Sequence, residues 1–307
     1  MKTDNAQDKP PVGRFAPTPS GRMHLGNVLC ALVAYLSVRK RGGRFLLRIE
    51  DLDAARCPRS AADEIIRDLN CLGFEFDGEI IYQSERAEVY REYEKKLENL
   101  GLTYPCFCSR SELHASQAPH LSDGSYVYDG KCKRLTKEQA DEKRKSRPPC
   151  IRLRVPDETV TFADGFCGRQ SQNLEKQCGD FIIRRSDGVY AYQLAVVADD
   201  ISSGVTEVVR GEDLVSSTAR QIYLYGLFGE KPPHYVHIPL VTASDGRRLS
   251  KRDGDSLACA LSDFPPERII GRLAYAAGIT ETDAPVKLNE LIECFSFEKL
   301  NRRITLQ

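Results

Sequence analysis

The chain has 307 residues, enough for one large domain or two modest ones. Its 41% hydrophobic and 29% charged residues exclude global disorder, no stretch approaches the ~20 apolar residues of a membrane span, and the polar first ten residues match neither a signal nor a transit peptide. Forty-four basic residues balance 44 acidic ones, which disfavours a wholesale polyanion coat, so the expectation is a cytoplasmic globular protein with no membrane partner.

Residues 12–16 form a short apolar-rich strand that ends at the Pro17-Thr-Pro-Ser-Gly21 breaker cluster. Leu25, Val28, Leu29, Leu32, Val33 and Leu36 then recur at helical spacing until Gly42 and Gly43. A strand at 45–49 and a helix at 60–72 complete a strand–helix–strand–helix grammar, which predicts an α/β protein with a parallel sheet. Another helix is expected at 87–100. From Pro105 to about Cys178 the pattern weakens into short segments and turns, as an insertion interrupting a sheet should. Alternation returns at 180–185, followed by an apolar helix at 191–197, a strand at 205–210 and a helix at 216–228. A strand at 234–241 leads into a polar loop at 242–255, and helix-like stretches at 267–277 and 288–295 close the chain.

Between Lys131 and Arg154 ten basic residues stand against three acidic ones, which suits either a solvated helix face or a nucleic-acid surface. Eleven cysteines without a secretory signal argue against a disulfide framework. Cys30, Cys71 and Cys259 read as small core hydrophobes. Cys106 and Cys108, one residue apart, with Cys132 downstream, read instead as a metal cluster that requires four ligands. By ordinary ligand chemistry the fourth is His114 or His120.

The first strand leads into neither a Walker loop nor a Gly-x-Gly-x-x-Gly. It leads into Phe15-Ala-Pro-Thr-Pro-Ser-Gly-Arg-Met-His-Leu-Gly-Asn27. His24, Gly26 and Asn27 stand where a helix begins, and a helix N-terminus favours phosphate oxygens. Gly26 permits close approach of a ligand, and His24 can donate to a phosphate as charge develops. Much later, Asp245-Gly-Arg-Arg-Leu-Ser-Lys-Arg-Asp253 is either a solvated basic turn or a lysine loop that neutralises a triphosphate during adenylyl transfer.

Together these segments resemble the signatures of class I aminoacyl-tRNA synthetases. His24-Leu-Gly-Asn27 is similar to the HIGH motif, and Arg248-Leu-Ser-Lys-Arg252 to the KMSKS motif. Arg14–Gly21, Leu47–Asp53, Tyr192–Asp200 and Val209–Leu214 narrow the resemblance to the glutamyl and glutaminyl branch, in family order over about residues 12–260. The resemblance implies a Rossmann-type catalytic domain in two halves, 1–104 and 180–258. It also implies a zinc-bearing, RNA-contacting insertion at 105–179 and a small C-terminal helical extension at 259–307. ATP is then a substrate, accompanied by Mg²⁺, and His24, Gly26, Asn27 and Lys251 are the expected nucleotide-handling residues, with His24, Asn27 and Lys251 catalytic.

The branch also implies an amino-acid pocket. Arg14 and Arg210 match carboxylate-binding arginines, whose forks suit that group. Glu50 matches the partner of the substrate ammonium, and Tyr192 and Thr18 supply hydroxyls beside Phe15, Ala16 and Pro17. A structural Arg14–Glu50 ion pair is the alternative. Asp51, Asp53, Asp199 and Asp200 read as turn and capping residues. No side-chain nucleophile is needed, since the substrate carboxylate attacks the α-phosphate itself.

Within this branch a short paralogue carries a Cys-x-Cys…Tyr-x3-Cys site, which this chain reproduces with Cys106, Cys108, Tyr128 and Cys132. The resemblance therefore implies one structural Zn²⁺ with Tyr128 as fourth ligand, pinning an insertion otherwise poor in core residues. Only 56 residues follow Lys251, from which no anticodon-binding domain is expected. The implied reaction is activation of L-glutamate without tRNA and its transfer to the queuosine base at the wobble position. The anticodon stem-loop of tRNA(Asp) would be the partner. The alternatives are a truncated synthetase charging a tRNA 3′ end, a non-catalytic zinc RNA-binding module and a small-molecule adenylyltransferase. No apolar stripe asks for a second copy, so a monomer is expected.

Overall fold

The computed structural model of the chain describes residues 9–109, 112, 127–243, 247 and 257–306. Strand β1 (Val12–Phe15) pairs in parallel with β2 (Arg44–Ile49), which pairs in parallel with β3 (Ile81–Tyr82). Strands β9 (Glu207–Gly211) and β10 (His234–Ile238) form a second parallel pair. The two pieces meet edge to edge, because Thr206 donates its backbone N–H to the Val12 carbonyl at 2.8 Å and accepts from the Val12 N–H through its hydroxyl at 2.9 Å. β1 therefore has β2 on one side and β9 on the other. The chain order reverses between β1 and β9, and such a switch point leaves a crevice at the carboxyl ends of the strands.

Helix α1 (Leu25–Arg39) crosses from β1 to β2 and is buried over most of its length, from Val28 to Val38. It packs so close to β1 that a Cβ on Gly13 would collide with the Val38 methyl. The helix stops at Arg39, just before the expected Gly42-Gly43 break, and its Ser37 is buried and donates to Glu207 at 2.6 Å. Helices α2 (Arg59–Cys71) and α3 (Ala87–Asn99) follow the first strands. Cys71, expected in the core, is exposed, while Cys30 is partly buried. Cys259 lies outside the residues whose side chains are described.

The middle of the chain holds more core than its sequence suggests. β4 (Thr103–Cys106), β5 (Cys150–Leu153) and β8 (Phe181–Arg184) form an antiparallel sheet, and β6 (Thr159–Asp164) and β7 (Gly168–Asn173) form a hairpin. Helix α4 (Lys137–Ser146) carries four of the ten basic residues of the Lys131–Arg154 stretch and all three of its acidic ones. Leu153, Leu174, Phe181 and Ile183 pack with α3, α5 (Tyr192–Ser202) and α6 (Val215–Phe228), so the segment from Ile151 onward shares the body's core. A smaller core of Tyr104, Cys106, Phe107, Tyr128, Cys132, Ala140 and Cys150 stands apart from it.

The expected strand at 234–241 is interrupted at Pro239, which has no N–H to offer a ladder. A new strand, β11 (Val241–Ala243), pairs in parallel with β12 (Ile304–Leu306). Helices α7 (Leu257–Asp263) and α8 (Pro266–Ala276) precede a 3₁₀ turn at Leu288–Leu291, in place of the longer helix expected there. Leu288, Leu291, Phe295, Leu300 and Ile304 join the same core as α1. No helix among the described residues is long and apolar enough to cross a membrane.

Candidate active site and thiol cluster

A cavity of about 390 Å³ opens at the carboxyl ends of β1 and β9. Arg14, Phe15, Ala16, Pro17, Thr18, His24, Gly26, Asn27, Glu50, Tyr192 and Arg210 all line it, joined by Asp213, Leu240 and Val241. Lys251, with the rest of its motif apart from Arg247, lies outside the described residues.

His24 caps α1. Its Nδ1 accepts from the Asn27 N–H at 3.3 Å, and the Asn27 side-chain oxygen accepts from the His24 N–H at 3.1 Å. A ring nitrogen that accepts carries no proton, so the neutral ring bears its proton on Nε2. A Cβ at Gly26 would press within 3.0 Å of that ring, so glycine keeps the imidazole in place.

Arg14 is buried and donates to Asp200 from Nε at 3.4 Å; its Nη1 and Nη2 donate to no other described residue. It does not pair with Glu50. That carboxylate takes a 3.2 Å hydrogen bond from Arg48, a fully buried residue whose guanidinium also reaches Asp200 and lies 3.8 Å from Asp199. Burial pushes the Glu50 carboxyl above its usual range, against the pull of Arg48 and Arg14. Burial likewise raises Tyr192, so its hydroxyl stays protonated and able to donate.

Asp199 and Asp200 are not turn residues. They are buried at 0% and 2% exposure, and Asp199 accepts from Arg86, Gln83 and Tyr90 at 2.6–2.9 Å. Burial opposes ionisation of Asp200, but Arg48 and Arg14 hold its carboxyl below the usual range. Two aspartates closing the apolar run Leu194–Ala198 are the signal available in the sequence, since a charge on a buried helix face requires a partner. Asp51 does anchor a turn, accepting from the Ser84 N–H and hydroxyl, and Asp53 lies 3.6 Å from Arg185.

Arg210 differs from Arg14. Four of its five N–H groups are taken: by His237 Nε2 and Gln221 at 2.9 Å, by Thr218 at 2.8 Å and by the Leu214 carbonyl at 3.3 Å. Of the two arginines, Arg14 is the one with a whole Nη fork to offer, and Arg210 offers a single remaining N–H.

At the thiol cluster, the Cys106, Cys108 and Cys132 sulfurs lie within 4.8 Å of one another. Cys108 and Cys132 are 3.6 Å apart, and the Tyr128 hydroxyl stands 3.5 Å from Cys106 and 3.6 Å from Cys108. With zinc–sulfur bonds of about 2.3 Å, a tetrahedron has sulfur–sulfur edges of about 3.8 Å, so these spacings suit a single ion. The Cys132 N–H donates to the Tyr128 oxygen at 2.7 Å, and the Arg152 guanidinium lies 3.8 Å from the centre of its ring. The neighbouring Cys150 thiol and Arg152 pull the Cys106 thiol down against its burial, whereas burial raises the Cys108 thiol and the Tyr128 hydroxyl. His114 and His120 lie outside the described residues.

The family described as tRNA synthetases class I (E and Q), catalytic domain, matches residues 12–305. A protein of Geobacter sulfurreducens named Glutamyl-Q tRNA(Asp) synthetase is 48% identical over 278 residues, covering 90% of this chain and 86% of its own. One of the same name from Symbiobacterium thermophilum is 43% identical, covering 94% of each. The crystal structure of a glutamate tRNA ligase from Elizabethkingia meningosepticum, in complex with its amino acid, superposes with a TM-score of 0.84 at 27% identity, covering 97% of this chain and 67% of that one. With its switch-point cavity, capped α1 and a match over nearly its whole length, the chain belongs to the class I tRNA synthetases of the glutamate and glutamine branch.

Proposed function

We propose that the chain is a ligase that activates L-glutamate with ATP, without tRNA, and transfers it to the queuosine base at the wobble position of tRNA(Asp). The observation that carries the first half is the meeting of Arg14, Arg210, Glu50 and Tyr192 with His24 in one cavity. The second half rests on relatives at 43–48% identity that bear that name.

In this reading the Arg14 fork and the remaining Arg210 N–H receive substrate carboxylate, Glu50 receives the ammonium, and the Tyr192 hydroxyl fixes orientation. Phe15, Ala16, Pro17 and Thr18 form the wall. His24, with its Nε2 proton, Gly26 and Asn27 at the head of α1 receive phosphates, and Lys251 meets the charge that develops on the departing pyrophosphate. Mg²⁺ enters with ATP. The substrate carboxylate attacks the α-phosphate, so the enzyme contributes position and charge.

Cys106, Cys108, Cys132 and Tyr128 would hold one Zn²⁺, which supplies structural cross-linking and stabilises the phenolate. Residues 105–179 face the anticodon stem-loop, with α4 beside its phosphates. Residues 1–104 and 180–258 are the catalytic halves, and 259–307 brace them. The enzyme works as a monomer in the cytoplasm, where tRNA is.

Purified protein should exchange pyrophosphate into ATP with glutamate alone, and far less with glutamine. Labelled glutamate should then travel with the anticodon-loop fragment after nuclease cleavage of tRNA(Asp), and transfer should vanish when the wobble base is unmodified guanosine. Label on the 3′-terminal fragment would favour a synthetase charging the acceptor end, and absence of exchange would favour a binding module.

A further inference from the structure

Behind Arg210 lies a buried chain of polar groups. Arginine cannot accept a hydrogen bond, so its contact with His237 requires a lone pair on His237 Nε2. The ring proton is then on Nδ1, which lies 2.5 Å from Asp164 Oδ2. Asp164 is itself fixed at the end of β6, its Oδ1 accepting from the N–H groups of Phe166, Cys167 and His237 at 2.8–3.1 Å. His237 is 0% exposed, so water does not compete for these contacts. Every acceptor around Arg210 is neutral, and no carboxylate among the described residues pairs with it. The guanidinium is thus held on several sides by neutral groups while one N–H remains for the cavity.

We infer that His237, locked by Asp164, is a positioning residue that aims Arg210 at the substrate's side-chain carboxylate and thereby sets the preference for glutamate over glutamine. The inference rests on the reading of the cavity as a glutamate site. Asp164 selects the tautomer, the tautomer supplies the acceptor, and the acceptor orients Arg210. A reversed tautomer would set an Nε2–H against the Arg210 Nε–H, a donor facing a donor, and the guanidinium would turn away.

The test is pyrophosphate exchange with wild type, Asp164→Asn, His237→Leu and His237→Gln, measuring KM for glutamate, KM for ATP, kcat and the glutamate-to-glutamine ratio. A glutamine oxygen can stand near the imidazole Nε2 position, so His237→Gln should restore the acceptor and stay within about threefold of wild type. Asp164→Asn and His237→Leu should raise KM for glutamate about tenfold or more and lower the ratio, with KM for ATP little changed. Equal rises in both KM values, or an unchanged ratio, would overturn the inference. Should a variant fail to fold, the wild type still decides: NMR must show a low-field imidazole proton on Nδ1, and a proton on Nε2 instead overturns the assignment. A wild type that does not exchange with glutamate at all would refute the proposed function, a distinct result.

Discussion

Around the cavity, buried charges are held by groups drawn from distant parts of the chain: Asp199 and Asp200 on α5 meet Arg14 on β1, Arg48 on β2 and Arg86 ahead of α3. Around Cys106, Cys108, Tyr128 and Cys132 the donors meet mainly one another, within the small core that stands apart from the body. The first arrangement is complete as protein, because each of these aspartates already has a cation and the surrounding core is large. The second crowds thiols and a phenol that gain little from each other until a cation draws them together. The cavity should therefore persist without metal, while the thiol region should not.

The largest effect expected is at Arg14. Arg14→Ala should lower kcat/KM for glutamate by about 10³-fold, the loss of a charge-assisted pair of hydrogen bonds, while metal content stays at its wild-type value. Metal analysis beside the exchange assay checks both halves. Next, Lys251→Ala should lower the rate of activation by about 10²-fold with the same metal content; an unchanged rate would make that loop a solvated basic turn.

Cys132→Ser disturbs the thiol region and leaves the cavity's own residues in place. It should release the zinc, loosen the segment around β4 and α4, and lower transfer to tRNA by about tenfold, with exchange changing less than about twofold. Exchange that collapses together with metal loss would show the two regions to be one cooperative unit.

A smaller effect comes from Glu50. Its raised carboxyl pKa means that lowering the pH protonates it earlier than an ordinary glutamate, so KM for glutamate should rise on the acid side while KM for ATP stays flat. Glu50→Gln should bind glutamate weakly at every pH and lose that limb. For stability the sign is opposite: the native state binds a proton there that the unfolded chain releases, so this group destabilises as pH rises through the ordinary glutamate range toward its native pKa. Burial works against ionisation of Asp164 too, yet hydrogen bonds from His237 and three backbone N–H groups hold it at about 2. It therefore contributes stability above the ordinary aspartate range that is lost as pH falls through that range toward its native pKa. The smallest effect is at the end of α4 and just beyond it, where neutralising Lys143, Arg144, Lys145 and Arg147 together should reduce transfer a few-fold and flatten its salt dependence without touching exchange.

The chain order of β1, β2, β9, β10 and the main helices is legible in the amino-acid sequence, because hydrophobic period and glycine breaks are local signals, whereas β3, two residues long, offers no such run. The residues at the head of α1 and those that meet in the cavity are also readable, since the strings Arg14–Asn27 and Leu47–Asp53 each keep theirs within a few positions. The pairing of β11 with β12 is not readable, nor is the burial of Leu153 and Leu174 against α3 and α6, because both join segments far apart in the chain. The same holds for the acids behind the site. In the sequence Asp199 and Asp200 resemble caps, and Asp164 and His237 carry no signal at all. Their roles exist only because folding brings residues 27 to 186 positions apart into one desolvated layer, where an unpaired charge or lone pair is costly and the partner is chosen by geometry.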